Sequence, residues 1–358
     1  MILSVSRRTD IPNYYSEWFF NRIKEGFVYV RNPMNPRQVS KILLSPEVVD
    51  CIVFWTKNPE PMLARLPELS AYHYYFQFTL TGYGRNVERN VPHKKEKMIP
   101  VFQRLSEQIG SSRVIWRYDP ILFTKEYTPE YHLKAFSQIA EALKGYTDKC
   151  VISFVDTYTK NQKAMRELGA YELRQPARGN NSCEEIAQSQ DCGEEMAQEE
   201  ISQKQGAGEE ITLEEFASKL SEIARANGMS IATCAESLDL QHCGIGQNSC
   251  IDKELIEAII GCPIKVKKDK NQRPECGCVE SIDIGTYNTC PNGCVYCYAN
   301  HSQESVRRNC GQYDVKSPIL CGQVTEEDRI SEREVMSLRE EKDSQEEDVV
   351  WEEQMGLF

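Results

Sequence analysis

The chain has 358 residues, 15 cysteines and a formal net charge of −12. That length supplies one large α/β domain or two smaller ones, with ample material for a buried core. Its longest apolar runs, such as residues 51–55, are strand-sized and exclude a bilayer-spanning helix; the acidic balance weighs against a nucleic-acid binder until its distribution is considered.

Only a short apolar run precedes Arg7 and Arg8, so no signal peptide is expected and a reducing cytoplasm is the expected location. There, clustered cysteines mean metal ligands or redox sites rather than disulfides. Through residue 160, β-branched and aromatic runs alternate with amphipathic stretches. Strands are predicted at 2–6, 27–30, 51–56, 74–80, 113–118 and 150–155, and helices at 14–24, 36–43, 61–69, 88–109 and 129–143. A further helix at 213–226 and a strand at 229–234 follow. Apolar strands separated by helices predict a parallel sheet covered on both faces: a full or partial TIM-like barrel, or an open doubly wound sheet.

Polar groups recur where these strands end. Ser6-Arg7-Arg8-Thr-Asp10 follows the first, Thr56-Lys57-Asn58-Pro59 the third, and Arg117-Tyr-Asp119-Pro120 the fifth. In parallel α/β architectures such ends line the active site, which makes Arg7, Arg8, Lys57, Arg117 and Asp119 candidate catalytic or substrate-binding residues. Ordinary turn and N-cap chemistry is the alternative, and it accounts well for Asp10, Asn58 and Pro59.

Charge divides the chain. Residues 1–160 hold 22 basic and 16 acidic side chains, a net +6, whereas 166–215 and 324–358 each hold 4 basic and 13 acidic, a net −9. The expected organisation is a barrel portion at 1–160, an acidic disordered insert at 161–210 and the last barrel units at 211–262. A cysteine-rich segment at 263–323 and a mobile acidic tail at 324–358 complete it. The insert contains two near-copies, Cys183-Glu-Glu-Ile-Ala-Gln and Gly193-Glu-Glu-Met-Ala-Gln, and its Cys183 and Cys192 are expected to be passengers.

The densest chemistry reads Cys290-Pro-Asn-Gly-Cys294-Val-Tyr296-Cys297. Three thiolates at CxxxCxxC spacing suit three irons of one iron–sulfur cube and leave the fourth iron open. Zinc competes if Cys276 or Cys278 supplies a fourth ligand. Cys234, Cys250, Cys276 and Cys278 make four ligands for a second site, a further iron–sulfur cluster or zinc, with His242 and Cys243 as substitutes. Otherwise Cys234 is a small buried hydrophobe. Cys51, Cys150 and Cys262 lie in apolar contexts and read as core.

CxxxCxxC with an aromatic residue, here Tyr296, before the last cysteine resembles the signature of radical SAM enzymes. That resemblance implies a TIM-like fold and a four-iron four-sulfur cluster on Cys290, Cys294 and Cys297. It also implies S-adenosylmethionine on the open iron with Tyr296 beside its adenine, and a one-electron reductant such as flavodoxin or ferredoxin. In that superfamily the motif ordinarily follows the first barrel strand, whereas here it comes late. Residues 6–12, 54–59, 116–120, 153–156 and 290–300 resemble a bacterial family of unassigned function over about 1–160 and 211–323. Thr56-Lys57-Asn58, Arg117-Tyr-Asp119-Pro120 and the cysteine motif are also similar to the spore photoproduct lyase branch, which repairs a DNA lesion. That likeness makes a nucleic-acid lesion a candidate substrate and DNA a candidate partner.

The final residues, Gln354-Met-Gly-Leu-Phe358, resemble peptides that dock on the bacterial sliding clamp. The alternative functions are a zinc- or iron–sulfur-stabilised DNA- or clamp-binding module without catalysis, and electron transfer through a fully ligated cluster.

Overall fold

The computed structural model describes residues 1–156, 161–174, 211–236 and 238–340. Its strands are β1 (Ile2–Val5), β2 (Phe27–Arg31), β3 (Gln38–Leu43), β4 (Cys51–Thr56), β5 (Tyr74–Thr79) and β6 (Val114–Ile121). They continue with β7 (Lys149–Phe154), β8 (Ser230–Cys234), β9 (Gly246–Asn248), β10 (Ile282–Asp283) and β11 (Arg329–Glu332). Eight of them form one parallel sheet in the order β10-β1-β4-β5-β6-β7-β8-β9. The chain is therefore an α/β protein built on a parallel sheet flanked by helices.

Alternation along each strand explains why two cores exist. Leu3, Ile52, Phe54, Phe76, Trp116 and Ile152 face the larger one. It is closed by Phe19 of α2 (Ser16–Glu25), which follows the short α1 (Ile11–Tyr14), and by Phe102 of α4 (Ile99–Ile109) beyond α3 (Glu60–Leu63). Phe136 of α5 (Pro129–Ala142) and Phe216 of α7 (Leu213–Ala226) complete that layer, with α6 (Gln162–Glu167) lying between them in sequence. Residues one position along, namely Ile2, Cys51, Val53, Tyr75, Ile115 and Val151, face the opposite way. They pack on Ile256 of α8 (Lys253–Ile260) and on Cys250, Cys276 and Cys278. Burial on both faces is why these strands read as unbroken apolar runs.

Sequence expectation and structure part in five places. Residues 36–43, expected as helix, form β3, which pairs antiparallel with β2 and parallel with β11. The predicted strand at 27–30 is real but belongs to this separate three-stranded sheet. The helix expected at 88–109 begins as turns, passes through a π-turn at Lys94–Met98 and becomes regular only in α4. The acidic segment 324–358, expected to be mobile, starts with β11, while Ser337 and Leu338 hydrogen-bond Asp50. Within the expected disordered insert, residues 162–167 are the helix α6. The duplicated motif, Cys183, Cys192, Gln354 and Phe358 lie outside the described residues.

Candidate functional site

Residues at the C-terminal ends of the parallel strands surround one cavity of about 860 Å3. Arg7, Arg8, Lys57, Arg117 and Asp119 line it, as do Cys234, Cys250, Cys276, Cys278, Cys290, Cys294, Tyr296 and Cys297. The five strand-end residues, Tyr296 and both cysteine groups thus reach the same space.

The cysteine loop arrives there because β10 pairs with β1. Asp283 of β10 accepts hydrogen bonds from Ser6 Oγ (2.6 Å), Ser4 Oγ (3.0 Å), and the backbone N–H groups of Arg7 (2.9 Å) and Gly285 (2.9 Å). A Cβ on Gly285 would stand 1.9 Å from Ser6 Oγ, so only glycine lets the loop cross the end of β1 this closely. Arg8 is held over this crossing, its guanidinium 5.1 Å from the Tyr287 ring and 3.3 Å from the Gly285 carbonyl.

Asp10 fastens the loop from the other side. It caps α1 through Asn13 N–H (3.2 Å), as its turn context predicts. It also accepts from Thr56 Oγ1 (2.7 Å), Lys57 N–H (2.8 Å) and Asn292 Nδ2 (3.0 Å). Burial pushes its carboxyl pKa up despite these donors. One carboxylate therefore joins the ends of β1 and β4 to the cysteine loop.

Lys57 is committed inside the protein. Its Nζ lies 2.7 Å from Glu88 Oε1 and 2.9 Å from the Tyr296 hydroxyl. Glu88 is fully buried and also takes hydrogen bonds from Thr81 (2.9 Å), Tyr296 and Lys94. Burial opposes the Glu88 charge, but Lys57 and Lys94 outweigh it and bring the carboxyl down to about 2. Burial lowers Lys94 by more than Glu88 restores, whereas for Lys57 the carboxylate wins. Neither Glu88 nor Lys94 stood out in the sequence, where Glu88 looked like the first residue of a helix.

Arg117 and Asp119 pair along the end of β6, with Nε 2.9 Å from Oδ2, while Ser153 donates to the other carboxylate oxygen. Burial opposes the Arg117 charge, yet Asp119 and the nearby sulfurs of Cys250 and Cys234 keep it ionised. Its Nη1 points at Cys250 Sγ from 2.8 Å. Arg7 and Arg117 lie 5.4 and 5.2 Å from the Trp55 ring. Among the described residues, Arg7 Nη2 is buried without a hydrogen-bond partner, and Nη1 makes a long contact, 3.8 Å, to Asp269.

Cys290, Cys294 and Cys297 interact with one another on the loop, and burial drives the Cys294 thiol up to about 12. His242 and Cys243, considered as substitute ligands, instead turn to Glu214. Cys51 and Cys150 are core, as expected, whereas Cys262 is half-buried. Among the described residues, no three His, Cys, Asp or Glu side chains stand as a finished ion cage. No helix among them is long and apolar enough to cross a membrane.

Residues 2–299 match the family described as Domain of unknown function (DUF1848). The chain belongs to this family. No curated protein and no solved structure matches it. The matched span of the DUF1848 domain runs from β1 through Cys297, so it encloses the strand ends and both cysteine groups. The segment carrying β11 lies beyond it.

Proposed function

We propose that this protein is a radical SAM enzyme on a partial TIM-like barrel, with Cys290, Cys294 and Cys297 holding a four-iron four-sulfur cluster. One observation carries the reading. The superfamily motif ordinarily follows the first barrel strand, and here it follows β10, which sits at the sheet edge beside β1. In spatial order β10 precedes β1, β4, β5, β6, β7 and β8, which supports reading the late cysteine motif as the counterpart of one that follows a first barrel strand.

The residues present suit such a group. Three cysteines of one loop line the cavity at the mouth of a parallel sheet, and Arg7 lines the same cavity. Bound there with S-adenosylmethionine, the reduced cluster would supply a 5′-deoxyadenosyl radical that takes a hydrogen atom from substrate. The chain's own residues have narrower tasks. Asp10 and Asp283 fix the loop, and Glu88 with Lys57 orients the Tyr296 ring. The Lys57 and Arg117 charges are internally compensated, so Arg7 is the guanidinium suited to meet an anionic part of substrate or cofactor. A nucleic-acid lesion remains our favoured substrate class, reached through cytoplasmic flavodoxin or ferredoxin as electron donor.

The test is oxygen-free purification followed by iron and sulfide analysis and a 5′-deoxyadenosine assay after dithionite and S-adenosylmethionine. Wild type should form the nucleoside. Cys294→Ala should abolish its formation and Cys262→Ser should leave it unchanged. Equal yields from the two variants would falsify the ligand assignment.

A further inference from the structure

A second group of sulfurs lines the cavity independently of the 290–297 loop. Cys234 ends β8, Cys250 lies just before α8, and Cys276 and Cys278 flank Gly277 in the segment leading to β10. Cys234 Sγ stands 3.0 Å from Cys250 Sγ. Cys250, Cys276 and Cys278 belong to one buried cluster, with Cys234 packed against it. Cys250, Cys276 and Cys278 are 2, 6 and 2 % exposed, so this convergence is internal.

The backbone and the neighbouring polar groups are arranged around these sulfurs. Tyr75 Oη (2.8 Å) and Gln77 Nε2 (2.9 Å) both donate to the Cys250 carbonyl, and Asp252 caps α8 two residues later. Those bonds pin Cys250 to the inner face of the sheet. A Cβ on Gly277 would lie 2.3 Å from Ser249 Oγ, so the Cys-Gly-Cys turn is packed directly against the chain just before Cys250. N–H donors then converge on the sulfurs. Cys250 Sγ receives Arg117 Nη1 at 2.8 Å and Asn248 Nδ2 at 3.5 Å, and Cys278 Sγ receives Ile251 N–H at 3.3 Å. Thiolate is the form that binds metal, and it would accept such donors more strongly than a neutral thiol does.

We propose that Cys234, Cys250, Cys276 and Cys278 are the four ligands of a second metal centre, which takes a thiophilic metal, zinc or iron. Four thiolates fill a tetrahedral shell with no water. Sulfurs around one such ion lie about 3.8 Å apart, so loading asks Cys234 and Cys250, now at 3.0 Å, to separate by less than an ångström. Four thiolates on a divalent ion leave a net negative charge, and Arg117 and Arg7 are the cations that meet it. The centre ties the end of β8, the entry to α8 and the Cys-Gly-Cys turn into one cavity floor.

This site stands without the radical SAM reading and can be tested apart from it. The full-length triple variant Cys290→Ala, Cys294→Ala, Cys297→Ala, purified without oxygen, should retain bound zinc or iron by elemental analysis. Labile sulfide measured alongside distinguishes a cluster from a single ion, and either occupant supports the site. Adding Cys278→Ser, or Cys276→Ser where the first variant fails to fold, should cut metal content about tenfold. Cobalt(II) given to the metal-stripped triple variant should produce intense sulfur-to-cobalt charge-transfer bands. Absence of metal and of those bands, full retention after the serine changes, or a Cys234–Cys250 disulfide in their place would overturn the assignment.

Discussion

Replacing Glu88 with Gln isolates the buried charge cluster behind Tyr296. The carboxylate has no solvent exposure, while the partner side chains of Lys57 and Lys94 are 13 and 17 % exposed. Holding the Glu88 pKa at about 2 rather than 4.5 corresponds to about 3 kcal/mol of charge stabilisation in the fold. Breaking a buried ion pair by removing one partner costs about 3–5 kcal/mol because the other charge stays buried. The two routes agree, so Glu88→Gln should lose about 3 kcal/mol at pH 7. Urea denaturation followed by tryptophan fluorescence reads this directly. Because burial outweighs Glu88 at Lys94, Lys94→Met added to Glu88→Gln should recover part of the loss. A Glu88→Gln midpoint indistinguishable from wild type would refute the cluster's role, as would a double variant weaker than the single by the full cost of Lys94→Met alone.

Two further outcomes follow from the geometry. His132 is buried, with Nε2–H donating to the Leu122 carbonyl (3.0 Å), so Nδ1 must accept from the Tyr118 hydroxyl (2.8 Å). Burial lowers its pKa from 6.5 to about 4, so the folded state prefers the neutral ring while the unfolded chain protonates at 6.5. Stability should be complete above pH 6.5 and fall as pH drops toward 4, by up to about 3 kcal/mol. His132→Gln should flatten that slope in urea midpoints measured at pH 7 and 4.5; an unchanged slope would assign the acid sensitivity elsewhere. Gly285→Ala should cost about 1–3 kcal/mol, since the new methyl meets Ser6 Oγ at 1.9 Å and Ser6 Cβ at 2.6 Å. A thermal melt matching wild type would mean that the crossing relaxes freely.

Six strands of the main sheet, β1 and β4 to β8, were legible as apolar runs, as in Cys51 to Thr56 and Tyr74 to Thr79, whereas the polar three-residue β9 was not. Val39, Ile42 and Leu43 misled for a physical reason: their i, i+3, i+4 spacing is helical, and pairing with β11, almost 300 residues away, overrides it. The two-residue β10 carries no periodic signal, so the position of the cysteine loop could not be read until Asp283 was seen beside Ser6. The thiols announced themselves by residue type. Glu88 did not, because Lys57, Lys94 and Tyr296 give it its role and two of those three are distant in sequence.

The pairing of β10 with β1 also sets a timetable. On the ribosome, residues 1–281 emerge before the strand that leads into Cys290, so one flank of β1 stays open as a bare sheet edge until β10 follows. An uncovered edge of this kind invites pairing with other chains. The cysteine loop that follows β10 is then laid onto strands already synthesised, so its docking is a finishing step rather than a nucleus for folding.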